Sequence, residues 1–342
     1  MSYRGHLRSD NPSLMEKASN VFANQSQSGV SHNQSSPVFI VGHARSGTSM
    51  TVRLLRKYLQ IAFGTESQFI VRFYQQLHRY GNLKDDRNLQ RLVDDILKER
   101  WFQRCYHRLE FQTDSKSILA EVKDRTYRGV LEAVFGQLCQ HLGMNRWGDK
   151  TPEYLLDLPV LLKLFPDAKF IHVVRDGRDV ALSAFQQPFG ENNVVMAAKD
   201  WRDTMERVNH CASELPAHRF LEIKYEQLLQ QPVMVFGKLI EFLEIDDPQG
   251  EIIEFIERNV GQDIKQNNYE KWRTNWNRSR IIRFDRIAFR YLRQYEYDVS
   301  VDEERPPSRV QLAIWSCHNL ICKLSQPGYW KDSYYRLKLK LK

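Results

Sequence analysis

The sequence is poor in cysteine, and its 5 cysteines are scattered, odd in number and never spaced as C-x-x-C. This pattern speaks against a disulfide framework and against a zinc site, so we expect free thiols in a reducing compartment and no metal. No apolar run of about 18 residues is present, and the N-terminus lacks the apolar stretch of a secretory signal. These absences predict a soluble, cytoplasmic protein.

Acidic residues are in the minority. Lys and Arg number 50 against 42 Asp and Glu, which gives a net charge of +8 and a pI near 9.1. Such a surface attracts anions, whether nucleotide, acidic acceptor, nucleic acid or membrane, and the charge alone does not choose among them. The hydrophobic content of 42% in 342 residues is enough for the core of one large α/β unit.

A more local absence concerns a glycine-containing loop. Apolar residues 38–41 predict a buried strand, and the segment G-H-A-R-S-G-T-S that follows leads into a helical pattern. Loop amides and a helix N-terminus together form an anion site. Gly42 and Gly47 keep the spacing of the nucleotide-binding pattern G-x-x-x-x-G-K-[ST], but Thr48 replaces the lysine and Arg45 stands inside the loop. We therefore expect an anionic donor held by arginine and hydroxyls, without the usual metal.

A second candidate anion site follows another apolar segment, residues 168–174. Arg175 comes directly after it, at the carboxyl end of a predicted strand, where open α/β sheets place their ligands. Ser183 lies in the helix that follows and could return to the same anion. Two anion sites on two parallel strands suit a nucleotide that carries phosphates at both ends.

In order and spacing, these segments resemble sulfotransferases that use 3′-phosphoadenosine 5′-phosphosulfate (PAPS), in the branch of tyrosylprotein sulfotransferases and related bacterial sulfotransferases. R-S-G-T-S at residues 45–49 is similar to the 5′-phosphosulfate loop of that family, and Arg175 with Ser183 is similar to its 3′-phosphate motif. Further matches are G-D-K-T-P at 148–152, F-L-E-I-K-Y-E-Q-L-L at 220–229 and Y-E-K-W at 269–272. The resemblance runs from about residue 37 to residue 298.

The resemblance implies a set of site residues. Arg45 would grip the phosphosulfate and stabilise the leaving group, and Lys150 would be a second cation at the sulfuryl or bridging oxygen. Asp149 would orient the loop that carries Lys150. The other nucleotide-binding candidates are Ser46, Gly47, Thr48, Ser49, Arg175, Ser183, Tyr225 and Lys271.

Glu66 is the candidate general base. It lies 21 residues after Arg45, and the resembled tyrosylprotein enzymes carry a catalytic glutamate in a G-x-E segment at the same separation. The alternatives are a surface carboxylate or a salt-bridge partner of Arg45. Because small-molecule sulfotransferases commonly use histidine, His78 and His107 stay as lesser candidates.

Four further residues have simpler interpretations. His43 would shape the loop, and His172 would be part of the core. Arg178 has two possible interpretations, a helper of the 3′-phosphate site or an exposed charge. Glu270 stands where tyrosylprotein enzymes carry a serine, which makes protein tyrosine a less favoured acceptor.

The expected fold class is α/β, with a P-loop-like, mostly parallel sheet of about five strands flanked by helices. Predicted strands lie near 38–41, 60–64, 145–148, 170–174 and 220–223. Predicted helices lie near 226–243 and 281–294. A Ser/Asn/Gln-rich disordered leader is expected at 1–36, a sulfotransferase domain at 37–300 with a helical cap insertion at 68–142, and a helical and basic extension at 301–342.

The C-terminal extension has two interpretations. Residues 310–324 form an apolar, helical pattern, and residues 331–342 hold five basic residues and one acid. A helix packed on the core with a solvated tail is the favoured interpretation. A weak peripheral membrane contact is the alternative.

The function expected from these residues is transfer of a sulfuryl group from PAPS to a hydroxyl of a carbohydrate, lipid or natural product, with no nucleic-acid partner. The oligomeric state stays open. One alternative is an ATP-dependent small-molecule kinase, which the missing lysine disfavours. The other is a non-catalytic polyanion-binding protein, although the basic residues follow strand ends and do not form an aromatic-interleaved stripe.

Overall fold

The computed structural model of the protein describes residues 36–187, 190–326 and 329–330. The expected leader lies outside these residues except for Ser36, and the basic tail at 331–342 lies outside them as well. Ser36 is buried, and its carbonyl and hydroxyl oxygens accept hydrogen bonds from the Arg146 guanidinium at 2.8 and 2.7 Å. Ser36 is therefore part of the folded chain.

A single parallel sheet organises the described residues. Its strands are β1 Val38–Val41, β2 Ile61–Phe63, β3 Arg146–Asp149, β4 Lys169–Val174 and β5 Phe220–Lys224. They lie in the order β2-β3-β1-β4-β5, and every neighbouring pair is parallel. The prediction of about five mostly parallel strands is confirmed. All residues of β1 are fully buried because β1 is central and both faces of the sheet are covered.

Helices cover both faces and fill the connections. In the first half of the chain they are α1 Thr48–Leu59, α2 Ile70–Gln75, α3 Asp86–Leu97, α4 Arg100–Leu109, α5 Ser115–Glu121, α6 Tyr127–Leu142 and α7 Leu158–Leu164. In the second half they are α8 Gly177–Ala184, α9 Val194–Ser213, α10 Tyr225–Gln230, α11 Pro232–Phe242, α12 Glu251–Asn259, α13 Lys271–Asn275, α14 Arg278–Gln294 and α15 Arg309–Leu324. Short 3₁₀ turns lie at Leu77–Tyr80, Pro152–Leu156, Ala217–Arg219 and Val260–Gln262.

One predicted helix is broken in the structure. The segment 226–243 forms α10 and α11, which are separated at Gln231. The residue before a proline is pushed out of the helical region, and Gln231 accordingly has φ −135° and ψ 55° ahead of Pro232. The helices predicted near 281–294 and 310–324 are present as α14 and α15, and each begins slightly earlier.

The helices α2 to α6 form an insertion between β2 and β3, and aromatic packing joins it to the sheet. The Phe135 ring stacks on Trp147 of β3 with ring centroids 4.2 Å apart, and Trp101 packs edge-on against Phe135 at 5.4 Å. Trp101 is completely buried. Such pairs add about 0.5–1.5 kcal/mol to the burial of the rings themselves, so the insertion is held firmly against the edge where β2 ends.

The carboxyl ends of neighbouring parallel strands lie at the same edge of the sheet. Gly42, Gly64, Lys150 and Arg175 each follow a strand directly and therefore lie along this edge. Within the part of the chain that the structure describes, no helix combines the length and the apolar character needed to cross a bilayer.

Candidate active site

The loop between β1 and α1 is tight, and its two glycines leave no room for a side chain. A Cβ on Gly42 would lie 2.7 Å from the carbonyl oxygen of Val173, and one on Gly47 would lie 2.2 Å from the Tyr225 ring. Gly47 has φ 97°, and Arg45 itself has φ 75°, in the left-handed region that non-glycine residues rarely adopt. The backbone of this loop is thus held in an unusual conformation, a feature found often at functional sites.

The hydroxyl side chains of this loop include one buried group without a hydrogen-bond partner in the described chain. Ser46 is fully buried, and among the described residues its Oγ has no hydrogen-bond partner. Thr48 is buried as well, whereas Ser49 is exposed. The first N–H groups of α1 have no intrahelical acceptors, as at any helix N-terminus. An anionic oxygen placed here would satisfy these donors, so the residues fit the predicted phosphosulfate.

The two predicted anion motifs form one site. Arg45 Nε donates a hydrogen bond to Ser183 Oγ of α8 at 3.0 Å, and Arg175 Nη1 donates to the carbonyl oxygen of Arg45 at 3.2 Å. The terminal nitrogens of Arg45 have no bonded partner among the described residues. A guanidinium fixed through its Nε, with free terminal nitrogens, is suited to binding an anion.

Arg175 is held between a ring and a loop. Its guanidinium lies 4.4 Å from the centroid of the Tyr225 ring, and its Nη2 donates to the carbonyl oxygen of Asn268 at 3.0 Å. Asn268 also donates from its side chain to the Tyr225 hydroxyl at 2.6 Å. Arg175 Nε is buried without a partner within the described part of the chain. Tyr225 therefore lies between Gly47 and the Arg175 guanidinium.

Asn268 was not predicted from the sequence. Its only signal is its place just before the Y-E-K-W segment at 269–272. Lys271, predicted to contact the nucleotide, is exposed and forms no side-chain contact with the other candidates among the described residues. The carboxylate of Glu270 pairs with Arg273 at 2.9 Å. The role of Lys271 therefore stays a prediction.

The candidate base and the candidate second cation are paired. Lys150 Nζ donates a hydrogen bond to Glu66 Oε1 in an ion pair. The Lys150 side chain is 15% exposed and that of Glu66 is 33% exposed, so a substrate can reach both. The alternative that Glu66 is the salt-bridge partner of Arg45 is wrong in this structure, because the partner is Lys150.

The helical insertion holds the backbone of the Glu66 loop. Arg104 on α4 donates to the carbonyl oxygen of Glu66 at 2.7 Å, and the Trp101 indole N–H donates to the carbonyl oxygen of Thr65 at 2.9 Å. A Cβ on Gly64 would lie 2.6 Å from the Trp101 ring. The position of the candidate base is thus set by residues of the insertion.

The loop after β3 holds the same segment from the other side. The Ser67 backbone N–H donates to Thr151 Oγ1 at 3.0 Å and to Asp149 Oδ2 at 3.3 Å, and Thr151 Oγ1 donates to Asp149 Oδ1 at 2.7 Å. Burial raises the pKa of Asp149 to about 7, although the hydrogen bonds from Thr151 and Ser67 oppose this rise. Asp149 therefore joins the Glu66 loop to the Lys150 loop.

A charged pair flanks the phosphosulfate loop. His43 Nδ1 lies 2.7 Å from the Ala44 carbonyl oxygen, and His43 Nε2 lies 2.9 Å from Asp200 Oδ2 on α9. Only the imidazolium can donate from both nitrogens at once. Burial lowers the pKa of His43, but the hydrogen bond and charge of Asp200 outweigh it and raise this pKa above 6.5. Asp200 is 157 residues from His43, and no sequence signal pointed to it.

We expect Asp200→Asn to destabilise the protein in a pH-dependent way. Because the pKa of His43 is raised, the stability that His43 contributes to the folded state is fully present below pH 6.5 and is lost as pH rises through the raised pKa. The pKa of Asp200 is lowered, so the stability that Asp200 contributes is present above pH 3.8 and is lost as pH falls through the lowered pKa. The loss of stability should be roughly 1 kcal/mol or less near pH 6, because the Asp200 side chain is 53% exposed and screened by solvent, and it should shrink in alkaline buffer.

Urea unfolding of the unmodified protein and of Asp200→Asn, each near pH 6 and in alkaline buffer, tests this expectation. Glu191 also faces His43, and Lys323 and Arg207 act on Asp200, so each remains unchanged in the comparison. In a His43→Gln background, Asp200→Asn should no longer have a pH-dependent effect. An equal loss of stability at both pH values would show that the pair does not depend on the imidazolium.

The other histidines and Arg178 lie outside this arrangement. His78 and His107 are exposed on the insertion. His172 is completely buried in β4, as predicted, with its Nδ1 2.7 Å from a Glu222 carboxylate oxygen. Arg178 is not an exposed charge, and its role as a helper of the 3′-phosphate site stays a prediction. It is 1% exposed and pairs with two buried carboxylates, those of Asp176 and Asp285.

A parallel α/β sheet with two candidate anion-binding loops at its carboxyl edge is an arrangement typical of nucleotide-binding α/β folds. The profile of the sulfotransferase family matches residues 37–249, and the chain belongs to that family. The family predicted from the sequence motifs is therefore confirmed.

The chain is distantly similar to protein-tyrosine sulfotransferases and to a solved sulfotransferase domain. A protein-tyrosine sulfotransferase of Drosophila melanogaster is 24% identical over 290 residues, which cover 76% of this chain and 52% of that protein. Protein-tyrosine sulfotransferase 1 of Danio rerio is 26% identical over 263 residues, 69% of this chain and 65% of that protein. The match thus spans about half the length of the Drosophila protein. The solved sulfotransferase domain of the curacin biosynthetic pathway is 16% identical, with a TM-score of 0.49 over 78% of this chain and 99% of that domain.

Proposed function

We propose that this protein transfers a sulfuryl group from PAPS to a hydroxyl-bearing acceptor. The observation that carries the proposal is the hydrogen bond from Arg45 Nε to Ser183 Oγ, which joins the two anion motifs into one site. The unpaired buried Ser46 Oγ and Arg175 Nε lie in the same two motifs and await acceptor atoms such as phosphate oxygens. A donor with phosphates at both ends of a nucleoside would supply them.

The donor would be held from two sides. The cradle of Ser46 to Ser49 and the terminal nitrogens of Arg45 would bind the 5′-phosphosulfate. Arg175 and Ser183 would bind the 3′-phosphate. Tyr225, which already lies against Gly47 and the Arg175 guanidinium, would line the nucleoside between these two ends. Lys271, which is exposed, would be a further contact to the nucleotide.

The reaction exchanges one S–O bond for another. The bond between sulfur and the bridging phosphate oxygen breaks as the acceptor oxygen bonds to sulfur, and the acceptor proton passes to the Glu66 carboxylate. Arg45 and Lys150 would offset the negative charge that grows on the departing phosphate. The ion pair with Lys150 would hold the Glu66 carboxylate in place before the acceptor arrives. The acceptor class would be a carbohydrate, lipid or natural product.

Calorimetry with adenosine 3′,5′-bisphosphate in EDTA tests the donor site directly. We expect metal-free binding of the bisphosphate and weak binding of ATP with magnesium, because the loop lacks the lysine and uses arginine. Arg175→Ala should weaken the bisphosphate roughly tenfold to a hundredfold, since a charge-assisted hydrogen bond contributes about 1.5–3 kcal/mol. Adenosine 5′-phosphate, which lacks the 3′-phosphate, should lose little affinity.

The control is Arg258→Ala, which removes an equally basic side chain from an exposed ion pair on α12. It should bind both nucleotides as the unmodified protein does. Preference for ATP with magnesium would overturn the proposal in favour of a kinase. Binding of any polyanion without competition from the bisphosphate would favour a polyanion-binding protein. Equal weakening of both adenosine nucleotides by Arg175→Ala would remove Arg175 from the 3′-phosphate site.

A further inference from the structure

Among the residues that the structure describes, the polar contacts of helix α15 with the rest of the protein lie on one of its faces. Asn319 is buried, and its Oδ1 accepts the Asn192 backbone N–H at 2.8 Å. Lys323 on the same face pairs with Glu191 at 2.8 Å. These contacts attach the helix to the segment before α9 and fix which of its faces points outwards.

The opposite face of α15 is apolar and exposed. Its exposed side chains recur at intervals of four and three residues, which aligns them along one side of a helix. We call this set the outer stripe, and its members are Val310, Ile314, Cys317, Ile321 and Leu324. Val310 is 70% exposed and Ile321 is 67% exposed. A contiguous row of large exposed apolar side chains marks an interaction surface, because single exposed residues of this kind are normally scattered.

An aromatic residue extends the outer stripe at its C-terminal end. The indole N–H of Trp330 donates to the carbonyl oxygen of Leu324 at 2.9 Å, which places the ring beside the last turn of α15. The Trp330 side chain is 57% exposed. Tryptophan is favoured at boundaries between apolar and aqueous regions, since its ring is apolar and its N–H is polar.

A basic groove borders α15. A cavity of about 760 Å³ lies between α14 and the start of α15, and we call it the arginine groove after the four arginines in its lining, Arg278, Arg283, Arg286 and Arg305. Among the described residues, Arg305 pairs with Glu303, whereas the other three have no acidic partner. The Arg283 guanidinium instead lies over the ring of Trp315 on α15, at 5.4 Å.

The positive charge beside the outer stripe indicates which kind of partner the stripe can bind. Two copies of this chain facing each other through α15 would bring two arginine grooves together, and like charges would oppose that contact. The chain beyond Trp330 adds further positive charge, with five basic residues and one acid at 331–342. An apolar stripe bordered by unpaired cations is complementary to an anionic lipid surface, because arginine binds headgroup phosphates while the apolar side chains enter the acyl boundary.

We propose that the outer stripe and the arginine groove form a docking surface for an anionic lipid bilayer. The helix α15 lies in the plane of the interface with Ile314 and Ile321 towards the acyl chains, and Trp330 lies at the headgroup level. Arg283 and Arg286 extend from the side of the helix to the phosphates. This makes specific the peripheral membrane contact that the C-terminal sequence allows.

Vesicle flotation of the full chain tests the proposal. Vesicles of phosphatidylcholine with about one third phosphatidylserine should bind the protein, with much weaker binding to phosphatidylcholine alone and a loss of binding in high salt. The double variant Ile314→Ser/Ile321→Ser should bind anionic vesicles at least roughly tenfold more weakly, since each side chain loses its transfer free energy. Both side chains are exposed, so the fold does not depend on them.

Two further variants separate the contributions. Arg283→Gln/Arg286→Gln should reduce binding to anionic vesicles towards the level seen with neutral ones. Met234→Ser, which removes an exposed apolar side chain from α11, should change nothing. Binding of adenosine 3′,5′-bisphosphate should be the same in all these variants, so failure of this proposal is distinguishable from failure of the donor site.

Three results would overturn the proposal. Absence of binding to anionic vesicles is the first, and binding unaffected by Ile314→Ser/Ile321→Ser is the second. The third is a dimer in analytical ultracentrifugation that the same double variant dissociates. That result would assign the outer stripe to a second copy of the chain.

Discussion

Arg45→Ala will reduce sulfuryl transfer by about 10³-fold or more while the chain stays folded. An arginine that stabilises charge on a transferring group contributes about 10³–10⁵ to the rate in related phosphoryl chemistry, and loss of one preorganised donor costs about 10²–10³. The substitution should not disturb the loop, because alanine and arginine tolerate the φ of 75° at this position about equally. The rate is measured as formation of adenosine 3′,5′-bisphosphate with a hydroxyl compound that supports turnover by the unmodified enzyme.

Arg45→Lys and Ser183→Ala separate charge from geometry. Arg45→Lys keeps a positive charge but loses the planar fork, so we expect an intermediate rate. Ser183→Ala removes the partner of Arg45 Nε and should cost less than loss of Arg45 itself. Full activity of Arg45→Ala in a folded protein would exclude Arg45 from leaving-group stabilisation.

Glu66→Gln will lower turnover by about 10²–10⁴ and leave the apparent affinity for PAPS within a few-fold. The amide keeps the size of the side chain but cannot accept the proton of the acceptor. It also replaces the ion pair with Lys150 by a weaker hydrogen bond from the ammonium to a neutral amide oxygen. Steady-state kinetics with PAPS as the varied substrate gives kcat and KM separately, and the expected loss lies in kcat.

Glu153→Gln is the matched control for the Glu66 variant. This exposed carboxylate lies three residues after Lys150 and has no described ion pair, so its neutralisation should leave turnover unchanged. Unchanged turnover in Glu66→Gln would return attention to His78 and His107. A loss of PAPS affinity as large as the loss of kcat would indicate that the Glu66–Lys150 pair organises the donor site instead of taking the proton.

Much of the fold could be predicted from the sequence, because local sequence patterns agree with the elements that the structure shows. The strands β1 and β2 are short apolar runs that are each followed by a glycine, and the tight loop after β1 has the glycines that its contacts demand. Pro232 divides a predicted helix for a local steric reason that the sequence also contains. The strand order has no such local signal, because it depends on how the crossover helices pack.

The candidate site, like the fold, could be predicted from the sequence only in part. The two anion motifs could be expected at one edge of the sheet, since each follows a strand that ends there. The ion pair of Glu66 with Lys150 was not predicted, although both residues also follow strands that end at this edge, because no local signal shows that β2 and β3 are neighbours. The pairing of His43 with Asp200 is of the same kind, since it arises from the packing of α9 over the loop.

Trp101 and Arg104 link the helical insertion to the position of the candidate base. They belong to α4 of the insertion, which we expect to cover the acceptor, and they hold the backbone that carries the candidate base. A change in the insertion that alters the acceptor would therefore also act on the position of the candidate base. A graft of α2 to α6 from a relative, made to change the acceptor, would move Glu66 unless the hydrogen bonds to the carbonyl oxygens of residues 65 and 66 came with it.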